Sequence, residues 1–122
     1  MEGSYKLHYF ELYALGEPVR MALHKAGVQW ENSRLSGDSW KAMKESGKLP
    51  FGQMPVLEFP DGTMLAQRDA ILHYLGDKYN LKPSDPLVNA KCASIALFTF
   101  ADMFPKVGPP TFSKADDRDK VL

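Results

Sequence analysis

A single cysteine, Cys92, is all the sulfhydryl chemistry the chain carries, so neither an internal disulfide nor a CxxC redox pair can form, and a reducing, cytoplasmic setting is expected. An excess of either charge is missing too. Fifteen Lys and Arg residues balance fifteen Asp and Glu, and no basic run exceeds two residues. The electrostatic footprint of a nucleic-acid or anionic-membrane binder is therefore absent. No uninterrupted apolar stretch is long enough to span a bilayer, and the opening MEGSYKLHYF has neither a long apolar region nor a small-residue cleavage site. These gaps predict a soluble cytoplasmic protein that meets a small ligand or another protein. What is present, 122 residues of which 44% are hydrophobic and 25% charged, suffices for one ordinary domain and some extra, but not for two complete domains.

The aromatic alternation YKLHYF, residues 5–10, predicts a first strand. Gly16-Glu17-Pro18 reads as a helix start with proline in the first turn. Val19, Ala22, Leu23 and Ala26 then recur at helical spacing until Gly27. Residues 28–35 read as a second strand, completing a βαβ unit. Asp38 is expected to cap a short helix over 39–46 that carries Trp40, Met43 and Lys44. A strand over 55–59, the turn Pro60-Asp61-Gly62 and a strand over 63–66 predict a hairpin. Residues 67–79 are helical again, with Ile71, Tyr74 and Leu75 on one side and Asp69 in the first turn. The order βαβ, helix, ββα is that of the thioredoxin-like α/β fold, a mixed four-stranded sheet covered by helices.

LKPSDP, at the start of the segment 81–87, has two prolines and no hydrophobic period and reads as a linker. It divides a first domain, 1–80, from a second, 88–122. Residues 88–104 carry Ile95, Leu97, Phe98, Phe100, Met103 and Phe104 on nearly every side, which predicts a helix covered by something else. Pro105, Gly108, Pro109 and Pro110 are expected to break it, and Ser113 to Asp116 reads as the start of another helix. The expectation is the first helix of an all-α domain, cut short.

LPFGQMPVLEF raises a question. Pro55 opens a strand-like run, yet a proline there removes a ladder donor, and X-Pro bonds are where cis peptides occur. Taken together, YKLHYF, the GEPVR helix start, LPFGQMPVLEF and LAQRDAILHYL resemble, in order and spacing, the N-terminal domain of cytosolic glutathione transferases over residues 5–80. The tyrosine near the end of strand one, Trp40 followed by Lys44, and FGQMPVLE are most similar to the sigma class, which includes prostaglandin D synthases and lens S-crystallins. The resemblance implies a cis Met54-Pro55 bond whose exposed Met54 backbone pairs with the cysteinyl unit of glutathione like an added strand.

The resemblance further implies that Tyr9 donates a hydrogen bond to the glutathione sulfur, favouring the thiolate over a thiol whose unperturbed pKa is about 8.5. On position alone Tyr5 and Tyr13 compete with Tyr9, and packing in the core is open to all three. Tyr9 stands nearest the carboxyl end of its strand, where ligands of open α/β sheets sit. The start of the helix at Gln67 suits the γ-glutamyl carboxylate. Gln67 matches the family there, whereas Arg68 replaces the usual serine or threonine, either pairing with the same carboxylate or crowding it. Trp40, Lys44 and Gln53 match residues that hold the glycyl end, and Phe10, Tyr13 and Leu15 match the loop side of the electrophile pocket. Leu15 takes the place of an arginine that supports the thiolate in most sigma enzymes.

No metal site is expected, because His8, His24 and His73 lie in three separate elements. The implied function is conjugation of glutathione, a co-substrate, to a small hydrophobic electrophile, with prostaglandin isomerisation one variant and a homodimer as the assembly. The alternative is a weakly active or inactive structural module of the same fold.

Overall fold

The alternation of YKLHYF becomes strand β1, Tyr5–Phe10, the centre of a sheet in this computed structural model, which describes residues 3–112. Backbone contacts divide the chain into two compact units, Met1–Leu81 and Lys82–Leu122.

In the first unit a 3-10 turn, Ala14–Gly16, leads into helix α1, Glu17–Ala26, with Pro18 in its first turn. Gly27 ends it at φ 69°, a left-handed conformation that costs a glycine little, and its N–H returns to the carbonyl of His24. Strand β2, Trp30–Leu35, pairs parallel to β1 from Tyr5↔Trp30 to Phe10↔Leu35. Helix α2 spans Gly37–Glu45. Strands β3, Val56–Glu58, and β4, Met64–Ala66, form the predicted hairpin, and helix α3, Arg68–Lys78, follows. The sheet order is β2-β1-β3-β4, with β3 antiparallel to both neighbours. This is the thioredoxin-like arrangement.

Period-two alternation sends β1 side chains to opposite faces. Leu7 and Leu57, paired across β1 and β3, join Val19 and Leu23 of α1 and Ile71 and Leu75 of α3 in a fully buried core. On the other face Val56, Ala66 and Leu49 pack with Trp40 and Met43 of α2. His8 points to that second face and is buried. Its Nδ1 lies 2.9 Å from Ser33 Oγ and its Nε2 lies 2.6 Å from Glu58 Oε2, so one side chain ties three strands together.

Two local expectations are corrected in this unit. The cap of α2 is Ser36, not Asp38. Ser36 forms a capping box with Ser39, whose Oγ accepts the Ser36 N–H at 3.0 Å and donates to the Ser36 carbonyl at 2.8 Å. Asp38 sits in the first turn, where its charge meets the positive helix end. Three strands also begin later than expected: β2 at Trp30 rather than residue 28, β4 at Met64 rather than residue 63, and β3 at Val56 rather than Pro55, which has no N–H for the ladder.

In the second unit helix α4, Pro86–Leu97, starts two residues before the expected 88, because Asp85 caps it by accepting the Val88 N–H at 2.9 Å and Pro86 fits the first turn. A π-helical stretch, Phe98–Met103, then passes directly into α5, Phe104–Phe112. The breaks expected at Pro105, Gly108, Pro109 and Pro110 do not occur, since α5 runs to Phe112. The Phe104 N–H bonds to the Thr99 carbonyl five residues back. That shift of register puts Pro105 in the first turn of a new α segment, where a missing N–H is tolerated. The continuous helix Pro86–Pro109 contains an 18-residue window with a mean hydropathy of 1.3 and is long and apolar enough to cross a membrane by length and composition alone. Its apolar run is not uninterrupted, since Lys91 and Asp102 lie within it. Core helices of soluble proteins share this length and composition. Ile95, Phe98 and Met103 are exposed along it, as is Cys92. The helix start expected at Ser113 to Asp116 lies outside the described residues.

Because Leu57 is fully buried between two helices and the sheet, Leu57→Ala should cost about 2–5 kcal/mol of unfolding free energy. Met21→Ala, on the exposed side of α1, should change it by no more than about 0.5 kcal/mol. Urea unfolding of the two variants beside the parent checks both.

Candidate functional site

The topology gathers one end of the sheet. β1, β2 and β4 all run the same way and β3 runs against them. The carboxyl end of β1 (Tyr9, Phe10), the exit of β2 toward α2, the entry to β3 (Met54, Pro55) and the exit of β4 toward Gln67 therefore lie together. The β1–β3 ladder stops at His8↔Val56, which leaves Met54 beyond its last rung. The Met54-Pro55 bond is cis, and both residues are buried while Gln53 is exposed.

Tyr9 projects from β1 toward α1 and is 4% exposed. Its Oη accepts the Leu15 N–H at 3.1 Å. Burial raises the phenol above its ordinary pKa, opposed by that hydrogen bond and by the positive charge of Arg20, so at neutral pH Tyr9 is a protonated donor. With the oxygen receiving Leu15, the O–H is left to point elsewhere. Gly16 makes this placement possible, because a Cβ there would stand 2.3 Å from Tyr9 Cδ2.

Arg20 secures the same loop, and nothing in its spacing on α1 announced it. It is 8% exposed. Its Nη1 donates to the Leu12 carbonyl at 2.9 Å and to Glu17 Oε2 at 3.0 Å, its Nη2 to the Phe10 carbonyl at 3.2 Å, and its Nε to Asn32 Oδ1 at 3.2 Å. The guanidinium also lies 5.7 Å from the centre of the Tyr9 ring. A lone arginine on an amphipathic helix ordinarily reaches solvent. Only its proximity to the strand-one loop in space makes it a buried clamp.

Aromatic contacts continue outward from Tyr9. Its ring meets Phe10 edge-on at 5.5 Å, Phe10 meets Trp40 at 5.2 Å, and Lys44 Nζ lies 5.8 Å from the Trp40 ring. Four of the expected site residues are thus joined in one chain of contacts across β1 and α2. Tyr13 is 76% exposed and Leu15 is half-buried, both on the 3-10 loop. Tyr5 lies at the far end of β1, four residues and about 13 Å from Tyr9. It does not share this site.

Gln67, exposed at the start of α3, adopts φ 74° and ψ 120°. For a residue with a Cβ this is a strained conformation, of the kind that collects at ligand sites and costs about 1–3 kcal/mol. Arg68, next along, is 6% exposed and its Nη2 donates to Asp69 Oδ1 at 2.6 Å. Burial lowers its pKa, and Asp69 opposes that shift.

Residues 16–78 match the family described as "Glutathione S-transferase, N-terminal domain". The chain belongs to the glutathione S-transferase family. It is 43% identical over 124 residues to glutathione S-transferase 1 of Ascaris suum, a match covering 98% of this chain and 58% of that one. The glutathione S-transferase structure from Ascaris lumbricoides superposes with a TM-score of 0.80 at 40% identity, covering 98% of this chain and 58% of that one. Prostaglandin synthase D of Nilaparvata lugens superposes with a TM-score of 0.81 at 33% identity, again covering 98% and 58%. The chain spans about half the length of the curated relatives it matches.

Gly16→Ala should force the β1–α1 loop away from Tyr9 and destabilise the glutathione transferase fold by about 1–3 kcal/mol, the usual cost of overpacking. Thermal unfolding followed by far-UV circular dichroism measures the loss.

Proposed function

We propose that this chain supplies the glutathione-binding part of a sigma-like glutathione transferase. It binds the tripeptide at the carboxyl end of β1, holds its sulfur as the thiolate and delivers it to a small hydrophobic electrophile. The observation that carries this reading is the buried Tyr9 phenol, protonated and already accepting the Leu15 N–H. A hydroxyl so fixed has one hydrogen to give. Given to sulfur, it stabilises the anion more than the thiol and lowers the thiol pKa. The thiolate then attacks the electrophilic carbon. With an aryl halide the carbon–sulfur bond forms, halide leaves with the displaced electron pair, and Tyr9 keeps its proton.

Leu15 takes part through its backbone N–H, which does not depend on the arginine side chain usual at that position. The cysteinyl unit pairs with the Met54 backbone beyond the last β1–β3 rung. The γ-glutamyl carboxylate lies at the N-terminus of α3 beside Gln67, with Arg68 adding positive charge. Trp40, Lys44 and Gln53 hold the glycyl end, and Phe10, Tyr13 and Leu15 form the loop side of the electrophile pocket. The same reading includes a cytoplasmic homodimer. Its likeness to a prostaglandin synthase makes isomerisation of an unsaturated lipid one reaction worth assaying.

Retention on immobilised glutathione, followed by conjugation of 1-chloro-2,4-dinitrobenzene, tests the proposal. Binding and turnover are expected, and binding without turnover would make the chain a structural module. In Tyr9→Phe the bound thiol should titrate at higher pH while glutathione affinity is nearly kept, with roughly 1.4 kcal/mol of transition-state stabilisation lost per tenfold fall in kcat/KM. Equal rates for parent and Tyr9→Phe would remove Tyr9 from the mechanism.

Arg68→Ser should weaken glutathione binding and flatten its dependence on salt, as loss of a favourable charge requires. Isothermal titration at two ionic strengths measures both. Tighter binding would instead mean that Arg68 obstructs the carboxylate.

A further inference from the structure

The opposite end of the sheet holds a second concavity that the glutathione reading does not use. It has a volume of about 290 Å³, near the lower limit of about 300 Å³ for small-molecule sites. It lies where β1 begins, β2 has not yet started, β3 has ended and α3 finishes. Tyr5, Phe59, Tyr74 and Tyr79 wall it, with Val28 beneath and the exposed Lys78 at its mouth. The rings brace one another edge-on, Tyr5 to Phe59 at 5.3 Å, Phe59 to Tyr74 at 5.0 Å and Tyr5 to Tyr79 at 6.5 Å, so the apolar walls are stiff.

The hydroxyls supply the polar part. Tyr5 Oη lies 2.7 Å from Tyr79 Oη and 3.4 Å from Tyr74 Oη. Three hydroxyl hydrogens serve two contacts, so one O–H is left over whichever way the chain of bonds runs. Burial and the two neighbouring phenols push the Tyr5 pKa far above its ordinary value, which keeps this group a donor at physiological pH. The surplus O–H and the Lys78 ammonium both seek an acceptor, and the walls suit a flat ring.

We propose that this pocket is a second ligand site for a small planar aromatic carboxylate, its ring laid against the wall that the tyrosines and Phe59 form together and its carboxylate between the phenol cluster and Lys78. Since Tyr5 and Tyr9 stand about 13 Å apart along β1, occupancy of this site and of the glutathione site is independent.

Titration of the full chain with 2-naphthoate, followed by nuclear magnetic resonance shifts or by the probe's own fluorescence, tests the assignment. Saturable single-site binding is expected, perturbing residues around Tyr5 and Tyr79 and persisting in saturating S-hexylglutathione. Lys78→Met and Tyr79→Phe should each weaken it about tenfold. The neutral 2-naphthamide should bind parent and Lys78→Met alike. Lys78 is exposed and its replacement leaves the fold intact, so that variant reports on the site even if Tyr79→Phe loosens the cluster. Absence of saturable binding, binding that neither variant weakens, or displacement by S-hexylglutathione would overturn the proposal.

Discussion

A buried guanidinium organises the candidate-site end of the first unit. Arg20 gathers two main-chain carbonyls of the β1–α1 loop, a glutamate on its own helix and an asparagine on the neighbouring strand. A loop that turns from strand to helix offers its carbonyls few ladder or helical partners, although that of Phe10 also accepts the Leu12 N–H at 2.9 Å. The arginine satisfies them with one planar group and so fixes where the loop passes over β1. Leu15 can then reach the Tyr9 oxygen, and Gly16 can lie against its ring. The position of one phenol proton rests on those three residues together.

The sheet topology explains why two separate concavities exist at all. Reversing β3 between parallel neighbours brings every strand-to-helix exit to one end and every strand entry except that of β3 to the other. The first end offers open backbone beside β3 and the start of α3. The second collects the aromatic side chains that close the core beneath α3. Short strands help: β3 and β4 have three residues each, so the ends of the sheet are close to its middle and side chains from flanking loops can line them.

Much of this was legible in the sequence. Alternation in β1, helical recurrence in α1 and α3 and the Asp-Gly turn identified the fold, because each reflects a local preference that the tertiary structure respects. The cap of α2 was misplaced by two residues because Ser36 and Asp38 both carry capping side chains, and only the extended backbone at Ser36 distinguishes them. Tyr9 emerged from resemblance, not from spacing, since Tyr5 and Tyr13 share its chemistry. The strain at Gln67 and the clamp made by Arg20 have no local signature. Each depends on what the fold brings beside it, and periodicity reports only the element a residue sits on.

The π-helical stretch before Pro105 carries a consequence for how this helix can change. One extra residue in the turn rotates everything after it by about 100° relative to an unbroken α-helix. Deleting any one residue within Phe98–Met103 would restore regular bonding and put Pro105 in a helix interior, at a cost of about 3 kcal/mol. Replacing Pro105 first would remove that obstacle. The proline and the wide turn are therefore energetically coupled: replacing the proline and then closing the turn is cheap, while the reverse order passes through a kinked intermediate. The face presented by Val107 and its neighbours changes only when the second step is taken.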